Sequence, residues 1–220
     1  MGKSIVYVSD KGGVGKSTTA ANTASMLVNK GKTCCILKSD KNQDMVNWGE
    51  DRRSNGLPVV PVYEAYGEIS KEIVKLTAMF EYVLVDCAGH DSKEFRSALT
   101  VADILITLVK PSSKFERNTL TAVTEKVRKA QNANPKLSPW VLLTRIETNK
   151  PSKVKDAIEL DKYLRSDPVW IQPLKNRLAA LDIFESACNE GAGVHDVARG
   201  NSLGKAKAQI ELVAQEIGIL

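Results

Sequence analysis

Apolar residues arrive along this chain in short bursts, set apart by longer stretches in which apolar positions recur every three or four residues. The bursts cover residues 5–8, 34–37, 59–62, 82–85, 104–109, 140–143 and 169–171. They are continuous rather than alternating, which is the pattern of strands covered on both faces. The stretches between them predict helices. Ala20, Ala24, Leu27 and Val28 form one apolar stripe, and Ile69, Ile73, Leu76 and Phe80 form another. Gly31 stands where a helix C-cap is expected, just ahead of the second burst. Strand and helix signals alternate from end to end, so the expected fold is α/β: one domain over residues 1–220 with a mainly parallel sheet wrapped by helices. Residues 132–139 and 148–152 read as loops. A last helix over residues 203–217 carries Ala206, Ile210, Val213 and Ile217 on one face. Docking on the domain is the expectation; a membrane-surface anchor is the alternative, and the lack of Trp and Phe on the stripe argues against it.

Composition narrows the class. At 220 residues, 43% hydrophobic and 26% charged, the chain is neither a fibre nor wholly disordered. No apolar run approaches the roughly 20 residues of a spanning helix. Asp10 and Lys11 follow the first burst too closely for a signal peptide, and Val6 breaks the myristoylation pattern that Gly2 would open. A cytoplasmic protein is expected. The net charge of +5 permits a polyanionic partner, although spare surface lysines explain it equally well. Cys34 and Cys35 are adjacent and so point to opposite faces of a strand; with Cys87 and Cys188 they show no C-x-x-C spacing, and buried reduced thiols are expected. His90 and His195 are too few and too separated to suggest a metal site.

The strongest chemical signal is the run Ser9-Asp10-Lys11-Gly12-Gly13-Val14-Gly15-Lys16-Ser17-Thr18-Thr19, placed between a strand and a helix of small residues. Glycines let the backbone curl around an anion so that successive N–H groups point inward, and the following helix adds its positive end. Lys16 would reach the β- and γ-phosphates of a nucleotide, and Ser17 would offer its hydroxyl to Mg²⁺. The generic phosphate-loop pattern opens with Gly, where this chain has Asp10, but Lys11 places a second lysine at the front of the loop.

That second lysine makes the segment resemble the deviant Walker A box of the ParA/MinD ATPases. The resemblance implies a P-loop NTPase with ATP and Mg²⁺ as cofactors, nucleotide held by Lys11, Gly12, Gly13, Val14, Gly15, Lys16, Ser17 and Thr18, and an ATP-dependent homodimer in which Lys11 reaches the phosphates of the partner's nucleotide. Asp86 ends the burst Tyr82-Val83-Leu84-Val85 and looks like the Walker B aspartate, which with Ser17 would hold the metal. Asp40 ends the second strand, where the family has Asp-x-Asp; here the first of the two is Lys38. By resemblance Asp40 orients the hydrolytic water. Lys38 and Asp40 share a strand face, so both are expected to approach the γ-phosphate, and Lys38 there would tighten ATP binding or slow turnover. Lys38 turned aside is the alternative.

The similarity runs through most of the chain. Asn47-Trp48 and Val109-Lys110-Pro111-Ser112 look like the small, ParF-like branch of plasmid partition ATPases. Leu142-Leu143-Thr144-Arg145 sits where relatives read or flank the adenine, which implies base contacts from Thr144 and Arg145. Phe184-Glu185-Ser186-Ala187 with Gly191 and Gly193 resembles a C-terminal family stretch. The strand before the loop begins at Ser4, leaving no room for a helix-turn-helix extension, so site-specific operator binding is not expected. The resemblance implies slow, partner-stimulated ATP hydrolysis, DNA segregation with a centromere-binding ParB-like partner, nucleoid association through non-specific DNA binding, and no membrane. Candidate phosphate contacts are Lys150, Lys153, Lys155, Lys175, Arg177, Arg199, Lys205 and Lys207. A cargo-positioning ATPase, a MinD-like division regulator, a VirC-like conjugation accessory protein and a nucleotide-gated scaffold with little hydrolysis stay open.

Overall fold

The computed structural model describes the chain apart from residues 10, 88, 90 and 112–114 and the side chains of 115–119. The chain runs β1 (Lys3–Val8), α1 (Lys16–Asn29), β2 (Cys34–Lys38), α2 (Asp44–Ser54), β3 (Val62–Glu64), α3 (Ser70–Thr77) and β4 (Tyr82–Asp86). It continues through α4 (Lys93–Leu99), β5 (Ile104–Val109), α5 (Phe115–Ala133), β6 (Ser138–Leu143), α6 (Pro151–Arg165), α7 (Ile183–Asn189) and α8 (Leu203–Glu216). The strands form one all-parallel sheet in the order β3-β2-β4-β1-β5-β6.

Crossover handedness sorts the helices. From β1 the chain travels outward to β2 and β3, then returns to β4 and proceeds to β5 and β6. Right-handed crossovers in opposite directions lay their helices on opposite faces. One face buries Ile5, Tyr7, Ile36, Leu84 and Ile106 with residues of α1, α2, α7 and α8. The other buries Val6, Val8, Leu37, Val85 and Leu105 with residues of α3, α4, α5 and α6. Neighbouring strand residues point to opposite faces, so each continuous burst feeds both cores. Cys34 enters the first core and Cys35 the second, as their adjacency predicts. All four thiols are unpaired, and burial pushes each up to about 12, far from reactive thiolate.

Two expected strands are cut short by proline. Residues 169–171 form no strand: Pro168 and Pro173 bracket the run, proline has no N–H to give a ladder, and Val169 is exposed. The chain instead touches the sheet edge at two isolated bridges, Val141 with Pro173 and Ile146 with Ala179. Trp170 packs on Tyr163, with ring centres 5.4 Å apart. In the burst 59–62 only Val62 joins a strand, because Pro58 and Pro61 flank Val59 and Val60; Pro61 still accepts from the Ile36 N–H at 2.9 Å. The expected loops are shorter than the pattern suggested, since α5 runs to Ala133 and α6 starts at Pro151, a residue suited to a first helical turn.

The stripe Ala206, Ile210, Val213 and Ile217 is buried in the first core, so the last helix is docked and its apolar face is not available as an anchor. No helix among the described residues is long and apolar enough to cross a membrane.

A buried ion pair joins α2, α1 and the segment before α8. The Arg52 guanidinium meets Asp196 at 2.6 and 3.0 Å and also donates to the carbonyls of Pro58 and Gly191. Asp196 further accepts from Ser25, Asn29 and the Gly193 N–H at 2.7, 2.7 and 2.8 Å. Burial alone would raise this carboxyl; the bonds from Arg52, Gly193, Ser25 and Asn29 outweigh it and hold the group down at about 2. The close approach explains two glycines. A Cβ on Gly191, whose φ is +67°, would lie 2.4 Å from the backbone nitrogen of Arg52, and one on Gly193 would lie 2.4 Å from the Ser25 Cβ.

Candidate functional site

The glycine-rich loop joins the C-terminal end of β1 to α1, at the edge of the sheet where open α/β folds bind ligands. Gly13 and Gly15 have φ of +76° and +91°, conformations that a side chain would strain. Val14 between them is buried and anchors the loop. Thr144, at the end of β6, donates its hydroxyl to the Val14 carbonyl at 2.8 Å and so pins the loop from the far side. Lys11 and Gly12 stand at the exposed front, where the Ser9 hydroxyl donates to the Lys11 carbonyl.

Helix α1 has Gly15 as its N-cap, with no side-chain cap and no acidic residue in its first turn. Its first N–H groups therefore face the loop unsatisfied by the helix itself, the condition for holding an anion. Lys16 lies in that turn and donates to Asp86 Oδ1 at 2.5 Å, while the Ser17 hydroxyl donates to Asp86 Oδ2 at 2.7 Å. The residues expected to handle phosphate and metal thus converge on one buried carboxylate at the tip of β4. A carboxylate and a hydroxyl so close are hard oxygen donors, and they fit Mg²⁺. No cluster of three or more His, Cys, Asp or Glu side chains suited to a metal occurs among the described residues.

Beside the loop opens a cavity of about 200 Å³. Its walls are the start of α1 (Val14, Gly15, Thr18, Asn22), the end of β6 (Thr144, Arg145) and the segment 178–182, brought there by the bridge between Ile146 and Ala179. Arg145 has a left-handed backbone, φ +53°, a strained conformation for a residue with a Cβ. Its guanidinium pairs with Glu185 of α7 across the cavity wall. The two residues expected to flank a base therefore do line one cavity with the phosphate loop, Thr144 with its hydroxyl already engaged and Arg145 with its charge already paired.

Asp40 lies just past β2, half-buried, and accepts the Asn42 N–H at 3.2 Å. Lys38 departs from the expected approach to phosphate. Its side chain is fully buried and its ammonium turns along the sheet to Glu64 Oε1 on β3, at 2.6 Å, with the Tyr66 hydroxyl at 3.4 Å. Burial pulls the lysine down, but the hydrogen bonds to Glu64 and Tyr66 prevail and its pKa is raised; the bonds that Glu64 accepts from Lys38 and Tyr66 lower that of Glu64. The turned-aside alternative is the observed one.

Trp48 packs in the first core and donates to the Ala192 carbonyl at 3.0 Å. The basic residues proposed for phosphate contact are not collected on one face. Lys150, Lys153 and Lys155 sit on or beside α6 and pair with Glu147, Asp156 and Glu159, and Arg177 pairs with Asp161. Lys205 and Lys207 sit on α8, across the sheet. Asp10, Ala88, His90, Ser112 and Ser113 lie outside the described residues.

Sequence reasoning missed Asn22, Glu64 and the 178–182 wall, and gave Glu185 only as part of a family stretch with no role of its own. Asn22 is fully buried, donates to the carbonyls of Thr18 and Phe184 and accepts the Val194 N–H, so it ties the loop helix to α7. An Asn inside a stripe of alanines was the available signal. For Glu64 and the wall there was none.

Residues 5–181 match the family described as the CobQ/CobB/MinD/ParA nucleotide binding domain. The septum site-determining protein MinD of Bacillus subtilis is 26% identical over 201 residues, covering 75% of this chain and 72% of that one. The maintenance of carboxysome distribution protein A of Gloeobacter kilaueensis is 27% identical over 214 residues, covering 97% and 93%. Among solved structures, the ATP complex of an McdA variant from Cyanothece superposes with a TM-score of 0.75 at 14% identity, covering 100% of this chain and 97% of that one, a likeness of fold.

Proposed function

Because the chain belongs to the CobQ/CobB/MinD/ParA nucleotide-binding family, we propose that it acts as an ATP-driven positional switch, a single domain that binds ATP with Mg²⁺, pairs with a second copy, and hydrolyses ATP slowly to ADP and phosphate. The observation that carries this reading is the convergence of Lys16 and Ser17 on Asp86 at the mouth of the glycine loop, with an open cavity beside it.

In this reading the loop N–H groups and Lys16 take the phosphates. Lys16 has then to leave Asp86, which frees the carboxylate to act with Ser17 on the metal. Mg²⁺, when bound, neutralises charge on the β- and γ-oxygens. Lys11 at the exposed front reaches the partner's nucleotide, and Asp40 orients the attacking water. The cavity wall, with Thr144 and Arg145, encloses the base, and exclusion of water there strengthens every charge interaction inside. DNA segregation is the favoured use of the switch, with non-specific DNA binding to the nucleoid and a ParB-like partner that stimulates turnover. The resemblance of Asn47-Trp48 and Val109-Lys110-Pro111-Ser112 to the small partition branch supports it.

A second reading is that the cargo is a protein assembly rather than DNA. The match to the carboxysome distribution protein favours it, because that match runs over nearly the whole of both chains. The MinD-like reading is weakened by α8, whose apolar face is spent on the core.

The test is size-exclusion with light scattering at fixed protein concentration. With ATP and Mg²⁺ the chain should double in mass, and with ADP it should not. Lys11→Ala should bind ATP and stay single. A monomer under all conditions, or a Lys11→Ala dimer, overturns the proposal.

A further inference from the structure

The C-terminal tips of three adjacent strands carry a row of charges on one face of the sheet. Glu64 of β3 is in register with Lys38 of β2, and Lys38 is in register with Asp86 of β4. Lys16 extends the row from α1 by its bond to Asp86. The order is therefore carboxylate, ammonium, carboxylate, ammonium. Register partners on neighbouring parallel strands are about 4.8 Å apart along the backbone, and their side chains leave the same face. A lysine side chain is longer than that gap, so the Lys38 ammonium has two carboxylates within its range. It takes Glu64, at 2.6 Å. Among the described residues, the Asp86 carboxylate keeps Lys16 and Ser17.

The choice has a cause. Glu64 is partly open to water at the sheet edge, and the Tyr66 hydroxyl both donates to Glu64 at 2.8 Å and receives the Lys38 ammonium at 3.4 Å. The Tyr66 ring lies 5.9 Å from the same ammonium. The lysine stem is buried against the core, and its charge is desolvated by the sheet, so it has to be matched by a carboxylate. Were Glu64 absent, Asp86 would be the carboxylate left within range.

We propose that Glu64 and Tyr66 form a holder that keeps the Lys38 ammonium off Asp86, and that this holder sets how tightly the phosphate site takes a divalent cation. The inference rests on the nucleotide reading above and concerns positioning residues. An ammonium seated on Asp86 opposes a dication at the same oxygens; Lys16 gives up that seat when it turns to the phosphates, and an ammonium neutralised by Glu64 does not take it over. The replacement of an aspartate by Lys38 is thereby compensated from the next strand.

The test is the Mg²⁺ concentration needed to half-saturate binding of a fluorescent ADP analogue, read by anisotropy on the full chain. Glu64→Ala should need about tenfold more Mg²⁺ than the wild type, the effect of bringing one unit charge a few ångströms closer at an effective dielectric near 20. Lys38→Met in the Glu64→Ala background should restore the wild-type requirement, because the stray charge is gone. Thermal melts of both variants identify the folded ones, and Glu64→Gln replaces Glu64→Ala if the latter unfolds. An unchanged Mg²⁺ requirement in the folded Glu64 variant, or a raised one that Lys38→Met does not correct, overturns the holder. Failure of the wild type to bind the analogue with Mg²⁺ overturns the nucleotide reading instead.

Discussion

Among the described residues, Asp196 and Asp86 are each buried against a basic side chain, and they are built for opposite purposes. Asp196 receives two guanidinium bonds from Arg52, two side-chain bonds from Ser25 and Asn29, and one from the Gly193 N–H. Its four lone-pair directions are taken, and Arg52 is fixed further by the carbonyls of Pro58 and Gly191. Asp86 receives one ammonium and one hydroxyl, both from the phosphate loop. A buried charge pair stabilises only when its remaining hydrogen bonds are also met. The first pair meets that condition and works as a joint between α2, α1 and the C-terminal segment. The second is left with capacity to exchange partners, at the edge of the sheet where a ligand would enter.

The largest expected effect breaks the joint. Arg52→Met leaves Asp196 buried and uncompensated, and urea unfolding should show a loss of about 3–5 kcal/mol. A loss under about 1 kcal/mol would mean that the joint does not hold the fold.

Next comes the exchangeable pair. Lys16→Ala should weaken ATP binding at least about 100-fold, roughly 3 kcal/mol. The urea midpoint should move less than half as far as it does for Arg52→Met, because the Lys16 side chain is itself partly exposed and Asp86 keeps the Ser17 hydroxyl. Equal loss of stability in the two variants would erase the distinction drawn here.

The smallest effect is in acid. The Asp196 carboxyl is held at about 2 against an ordinary 3.8. A depressed carboxyl contributes stability that is complete above its unfolded value and is lost as pH falls toward its folded value. The loss should therefore fall between about pH 4 and pH 2 and amount to roughly 2 kcal/mol. Asp196→Asn, followed by denaturant melts across that range, should flatten the slope; an unchanged slope would place the acid-labile group elsewhere.

How far each region was legible follows from the range of the forces that make it. Gly13, Gly15, Lys16 and Ser17 sit within one turn of chain, so their spacing already dictates the loop, and Asp86 is readable as the polar residue that ends an apolar burst. The α/β layering was equally readable, since continuous bursts mean strands buried on both faces. The strand at 169–171 was misread because hydrophobicity was weighed without Pro168 and Pro173. Arg52 and Asp196 gave no signal, being 144 residues apart.

What the chain determined alone is therefore the set of elements and the anion loop, because backbone conformation and burial periodicity are decided by residues a few positions apart. What only the tertiary structure decided is the choice of partners. Lys38 sits between two carboxylates because β2 lies between β3 and β4, and it holds Glu64 because Tyr66 stands beside it. Strand order brings those charges together, and no local rule contains strand order.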